Sequence, residues 1–292
     1  MAEEILKPEQ PKKRAGKTMA LIAAIVAVVA ALVVAFVLFG WPMIQYNKAS
    51  GLLEQGAYMD AYTVFEKLGD YKDSVALGEK AYASYEKATV KAAKVGDTVT
   101  FGRYEQDNNV DNGAEAIEWI VLDRQDDKVL VLSKYCLHSM KYNNMYIPTT
   151  WSNSYMRGWL NNDFFTTAFT TDEKKMVAMA KNVTPDNHRA LNPEYHTEGG
   201  PDTNDLVFLL CGEEVEKYFP DQESRRAYST DYAKEQGVYT DEEYSWWWTR
   251  TPGEYQHFST IVRTNGLVQY TGGYLCSKNG GVRPAVWISI AE

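Results

Sequence analysis

The residues of this chain that could do chemistry are four histidines, three cysteines and a scatter of paired carboxylates. His138, His188, His196 and His257 form no i, i+4 pair and no H-E-x-x-H frame, the spacing that sets two imidazoles on one helix face around zinc. Cys136-x-His138 stands alone at a strand edge and reads as packing, because no other ligand-spaced residue accompanies it. There is no Gly-x-Ser-x-Gly elbow, no Gly-rich phosphate loop and no Ser-x-x-Lys nucleophile followed by its usual partners. Glu213-Glu214 and Asp241-Glu242-Glu243 read as solvated acidic faces rather than acid–base pairs. No catalytic residue, metal site or cofactor is expected. Binding is the function class left in front, with an enzyme whose site is not visible in sequence as its rival.

Aromatic side chains are the other resource, with 8 Trp and 20 Tyr. Trp119, Trp159, Trp247 and Trp287 alternate with apolar neighbours and are expected in the core. Arg157, Arg250 and Arg283 lie inside core-like stretches, which points to buried hydrogen-bonding or ion-pair roles. Tyr255, Gln256, His257, Tyr270, Tyr274, Lys278 and Asn279 differ. They occupy loops and strand ends around Pro252-Gly253, Gly272-Gly273 and Gly280-Gly281, where side chains project from a rigid sheet. Tyrosine beside amide and charged groups suits sugar or peptide recognition by stacking and hydrogen bonding, so these seven form the expected ligand face. The alternative is that they cap the core.

The elements that carry these residues begin with Met19–Phe39, 21 residues without a charged or strongly polar group. At 1.5 Å per residue the run measures roughly 31 Å, enough to cross the hydrocarbon layer once. A cleaved signal peptide has a shorter apolar stretch ending in a small-x-small site, whereas this run exits through Gly40-Trp41-Pro42. Trp41 suits the interface, and Pro42 is expected to end the helix. Lys12, Lys13, Arg14 and Lys17 precede the span and Gly40–Gln45 has no basic residue, so the positive-inside rule keeps 1–18 in the cytoplasm as a basic tail and places 41–292 outside the cell.

Net charge is −9, with +2 in residues 1–18 and −11 after residue 40. An acidic body does not match a phosphate backbone, so nucleic acid is excluded as a partner. Three cysteines are too few for a disulfide framework, and an odd count leaves at least one unpaired. Cys211 belongs to the apolar run from Leu206 and is expected to be buried, while Cys136 and Cys276 are left as a candidate pair.

Residues 43–93 carry helical periodicity, punctuated by Gly56 and Gly69-Asp70. From Val95 the period becomes strand-like, with strands at 98–101, 117–122 and 129–132. Residues 151–169 return to a helical pattern, and Thr170-x-x-Glu173 has the form of a capping box opening a short helix through Val177. Residues 182–205 read as a long loop, Leu206–Leu210 as a buried strand and Gly212–Tyr218 as a helix. Asn265-Gly266 is the strongest hairpin signal, and Gly281–Ile288 reads as one closing strand. Strands, then helices, then strands indicate an α+β domain.

Two resemblances follow from particular residues. Gly56-x-Tyr58-x-x-Ala61-x-x-x-Phe65 resembles a tetratricopeptide repeat, but over one repeat and a half, so 43–93 is expected to be a short helical stalk. Gly96-Asp97-x-Val99-x-Phe101-Gly102-x-Tyr104, Ile117-Glu118-Trp119, Trp151-x-x-Ser154-x-x-Arg157-x-Trp159-Leu160-Asn161, Trp247-Trp248-x-Arg250-x-Pro252 and Gly281-Val282-Arg283-Pro284-Ala285 together resemble domain-of-unknown-function family 6273 over about residues 95–290. That resemblance implies a bacterial surface setting and a C-type-lectin-like fold, shared with formylglycine-generating enzymes and retroelement-diversified surface binders. Those binders place their variable binding residues in a comparable C-terminal region, and with the seven residues above the expected role is binding of a glycan, cell-wall or protein ligand there. The Glu-Pro-Asn, Gln-Pro-Asp and Trp-Asn-Asp tripeptides of calcium-dependent lectins are missing, and only Cys276 stands where the oxidase would need two cysteines. Neither activity carries over. A third role, docking into a membrane complex through the stalk, remains open.

Overall fold

The computed structural model describes residues 14–188 and 197–291, the side chains of 14–18 excepted. Lys12, Lys13, His196 and the side chains of Arg14 and Lys17 lie outside the described residues. The chain divides into two compact units, Met1–Ala81 and Tyr82–Glu292.

In the first unit, α1 (Arg14–Ala35) continues through a π-helical turn, Phe36–Gly40, into α2 (Trp41–Glu54). Every large apolar side chain from Met19 to Phe39 is at least 51% exposed, unlike a core helix, and the helix is long and apolar enough to cross a membrane. Pro42 does not end it, contrary to expectation. The π turn shifts the register, with the Trp41 N–H reaching the Phe36 carbonyl, and proline is accommodated in the first turn of α2.

Three residues separate α2 from α3 (Tyr58–Leu68), and α4 (Ser74–Ala92) follows. Ala49, Ala61, Phe65 and Ala81 are fully buried between these helices, with Tyr46, Leu52, Tyr62 and Leu77 packed around them. Small residues permit the close approach: a β carbon on Gly78 would sit 3.4 Å from Phe65.

The second unit is a mixed helix-and-sheet domain with two main sheets over one apolar core. In the first sheet, β1 (Thr98–Tyr104), β2 (Glu115–Arg124) and β3 (Lys128–Ser133) form an antiparallel meander. Alternation turns Ile117, Trp119 and Val121 inward, and the Trp119 indole donates to the Phe101 carbonyl at 2.7 Å. The strand Ala285–Ser289 then pairs with β3 and with the short strands Val177–Ala178 and Val207–Phe208. The second sheet runs Val268–Tyr274, Phe258–Val262, Trp247–Pro252, Gly281–Val282, His138–Ser139. Gly281–Ile288 is therefore not one strand. It changes sheet at Arg283-Pro284, where proline has no N–H for a ladder and the Arg283 side chain is buried.

Trp151, Trp247 and Trp248 are at most 1% exposed, as is Trp119, whereas Trp159 and Trp287 are only half-buried at the core's edge. The three arginines have the buried partners their positions imply. Arg157 donates to Asp205 at 2.6 Å, and the fully buried Asp205 also accepts from Trp151, Asn182 and Thr203. Arg250 forms two bonds with Glu214, so Glu214 is not the solvated face expected of it. Arg283 donates to the Ser133 carbonyl at 2.8 Å and lies 5.0 Å over the Trp247 ring; burial pulls its guanidinium down to about 10. The Thr170–Glu173 capping box is formed in both directions. All three cysteines are unpaired.

Candidate functional site

The second sheet positions the site. Asn265-Gly266 closes the hairpin between Phe258–Val262 and Val268–Tyr274, with the Arg263 N–H donating to Leu267 and the Gly266 N–H to Arg263. Gly266 has φ +81°, and a β carbon there would run into the Gln222 backbone, so glycine is required on two counts. This register sets Ile261 opposite Gln269 on one face. Strand alternation sets Trp246 and Trp248 together, ring centroids 4.7 Å apart and edge to face.

Trp246, Ile261 and Gln269 line a pocket of about 610 Å³, with Tyr239, Asp241, Arg263 and Asn279 at its walls. Its polar groups are conspicuously unengaged. The Gln269 Nε2 donates to Thr271 at 2.9 Å and to the Gly272 carbonyl at 3.3 Å, leaving a buried Oε1 with no donor. The Arg263 guanidinium and Asp241 carboxylate are exposed and have no side-chain partner among the described residues. The Trp246 indole N–H likewise has no acceptor among them. An aromatic surface flanked by a free cation, a free anion and amides is equipped to stack on a sugar ring and bond its hydroxyls.

The other end of the same hairpin carries an exposed aromatic patch. Phe258 is paired with Tyr274 and meets it edge to face at 4.5 Å, while Tyr255 packs on Phe258 at 5.6 Å. His257 stacks on Tyr146 at 4.6 Å, and Tyr146 lies 6.3 Å from Tyr274. Phe258 and Ile261 are three strand steps apart, about 10 Å.

The seven expected ligand residues therefore divide. Tyr255, His257 and Tyr274 come together in the patch, and Asn279 lines the pocket. Lys278 is exposed beside Asn279 in sequence, and its carbonyl accepts from Ser139. Gln256 is engaged in holding loops, accepting from the Glu198 N–H and donating to the Glu198 and Thr149 carbonyls. Tyr270 donates to Glu216 at 3.1 Å and packs against Gly212, away from both clusters. Sequence reasoning missed Trp246, Tyr239, Arg263 and Gln269, and also the exposed loop residues Met145, Tyr146 and Ile147. Alternation within Trp246-Trp247-Trp248 was the available signal, since a buried Trp247 turns Trp246 to the opposite face.

Burial shifts Cys136, Cys211 and His138 away from their ordinary values. Burial pushes the Cys136 and Cys211 thiols up to about 11 and about 12, away from the thiolate. His138 stacks on Trp159 at 4.9 Å, and burial pulls it down to about 4. Glu105, Asp107 and Glu115 cluster at one loop, where they accept loop N–H groups from Gln106 and Asn109.

The model of a family described as a domain of unknown function (DUF6273) matches residues 126–290. The match leaves out the whole of β1 and β2, where the resemblance over 95–290 begins. No curated protein and no solved structure matches the chain.

Proposed function

The chain belongs to the DUF6273 family, and from that premise we propose that it is a single-span surface protein whose C-terminal domain binds a glycan or cell-wall ligand without catalysis. In this reading the domain has a C-type-lectin-like fold and is exported. Met19–Phe39 anchors it, residues 1–18 remain in the cytoplasm, and the helices to residue 93 form a tetratricopeptide-like stalk. Supporting the anchor are the length and full exposure of the apolar helix. The observation that carries the binding reading is the pocket beside Trp246, where a guanidinium, a carboxylate and an indole N–H lack side-chain partners among the described residues. The adjoining patch at Tyr255 and Tyr274 would extend the contact to a second ring.

The test is binding of the full chain in detergent to cell-wall fragments and a glycan panel, with and without chelator. Saturable binding, indifferent to chelator and weakened at least tenfold by Trp246→Ala or Arg263→Ala, is the expected result. Absence of binding across the panel, or binding unchanged in both variants, overturns it and turns attention to a protein ligand.

A further inference from the structure

A second pocket, about 590 Å³, lies in the first unit at the point where the long helix leaves its apolar run. Trp41 and Pro42 at the start of α2, with Leu68 and Tyr71 at and beyond the end of α3, form its apolar and aromatic walls. Lys48 and Lys67 line it as well; both are exposed, and neither has a side-chain partner among the described residues. Among the described residues no acidic side chain lines it. Asp70 adjoins Tyr71 in sequence but is not among the lining residues, Asp73 is engaged by the Tyr46 hydroxyl at 2.5 Å, and Lys72 sits 4.3 Å over the Tyr46 ring and 5.5 Å over that of Tyr71.

Height above the apolar run decides what such a pocket meets. Trp41 stands two residues past Phe39, about 3 Å, and Gln45 six residues past it, about 9 Å. The headgroup layer occupies roughly 5–8 Å on each side of the hydrocarbon, so the walls span that layer. Lys48 is one turn higher and its stem can reach back toward the phosphates, as lysines near helix ends do. We propose that this pocket holds the headgroup of an anionic phospholipid: the ammonium groups of Lys48 and Lys67 clasp the phosphodiester, and Trp41 and Leu68 contact the glycerol and the first methylenes. The proposal rests on Met19–Phe39 spanning the membrane, and is independent of the ligand bound by the C-terminal domain. Each lysine near an anionic surface is worth about fivefold in affinity, so the pair is sufficient for a marked headgroup preference.

The test is native mass spectrometry of the full chain in detergent, titrated with phosphatidylglycerol, with phosphatidylcholine of the same acyl chains, and with glycerol phosphate. Retention of phosphatidylglycerol at least tenfold over phosphatidylcholine is expected, with the preference lost in Lys48→Gln/Lys67→Gln at unchanged helicity. Equal retention of the two lipids, or a preference that survives the double variant, overturns the proposal. Glycerol phosphate bound as tightly as the lipid also overturns it, by making the site one for a soluble anion. Carbonate extraction of membranes separates the two failures: a chain that washes off refutes the anchor, whereas a retained chain without lipid preference refutes the headgroup site alone.

Discussion

Arg250 and Glu214 are joined by two hydrogen bonds, 2.5 and 2.9 Å, although the guanidinium is 2% exposed and only the carboxylate opens toward solvent. The two terminal nitrogens of Arg250 also donate to the Leu209 and Val183 carbonyls, so this one side chain ties the strand Trp247–Pro252 to the helix Gly212–Tyr218 and to two loops, while its buried Nε has no partner among the described residues. Removing the carboxylate strands a buried cation. Glu214→Ala is expected to cost about 3 kcal/mol, read as a fall in denaturation midpoint, with Arg250→Met/Glu214→Leu recovering part of the loss.

Stability should fall toward alkaline pH because of Glu86. This side chain is fully buried, and burial first, then the adjacent Glu173 carboxylate, pushes its carboxyl up to about 10. The folded chain keeps a proton that the unfolded chain releases near 4.5, so stability declines as pH rises from 4.5 to 10. Glu86→Gln is expected to raise the melting temperature at pH 8 and to flatten its pH dependence; an unchanged slope would refute the assignment.

The acid side is set by His138. Its folded value of about 4 lies below the ordinary 6.5, so the unfolded chain takes up a proton that the folded chain refuses. The stability that this contributes is complete above 6.5 and is lost as pH falls toward 4. In His138→Phe the melting temperature between pH 6.5 and 4.5 should decline less steeply than in the parent chain.

Gln269 separates binding from stability. Gln269→Met deletes an unpartnered buried oxygen along with two donated bonds, so unfolding free energy should move by no more than about 1 kcal/mol. Glycan retention should drop about tenfold in the same variant. Full retention would remove Gln269 from the site.

The Gly266 turn offers a control of opposite kind. Alanine there meets both a left-handed backbone and the Gln222 carbonyl, and about 2 kcal/mol or more of stability should be lost, measured by denaturant unfolding.

Features set by near neighbours in the chain were legible before the fold was. The apolar run Met19–Phe39, the reciprocal Thr170–Glu173 cap and the turn at Asn265-Gly266 each depend on residues within a few positions of one another. What escaped depended on partners far away. Gln256 and Tyr270 look like loop and strand-end residues free to meet a ligand, yet Glu198 and Glu216, both 54 or more positions distant, engage them. Trp246, Arg263 and Gln269 meet only because two strand registers bring one face together, and no local pattern announces a register. Pro42 failed as a stop signal because a π turn just before it changed which carbonyl needed a donor.

The change of sheet at Arg283-Pro284 has a consequence for how the domain is made. The main sheet can form its β1–β2–β3 meander early, but Val177–Ala178 and Val207–Phe208 find their partner only in Ala285–Ser289, and Gly281–Val282 bridges Trp247–Pro252 to His138–Ser139. Synthesis proceeds from the N-terminus, so more than a hundred residues must wait, with apolar edges open, for the last strand to emerge. Such late, long-range closure favours slow folding and dependence on holdase protection. It also means that a nascent chain ending before Gly281 lacks the strand that joins β3 to Val177–Ala178 and Val207–Phe208 in one sheet and the link between Trp247–Pro252 and His138–Ser139 in the other.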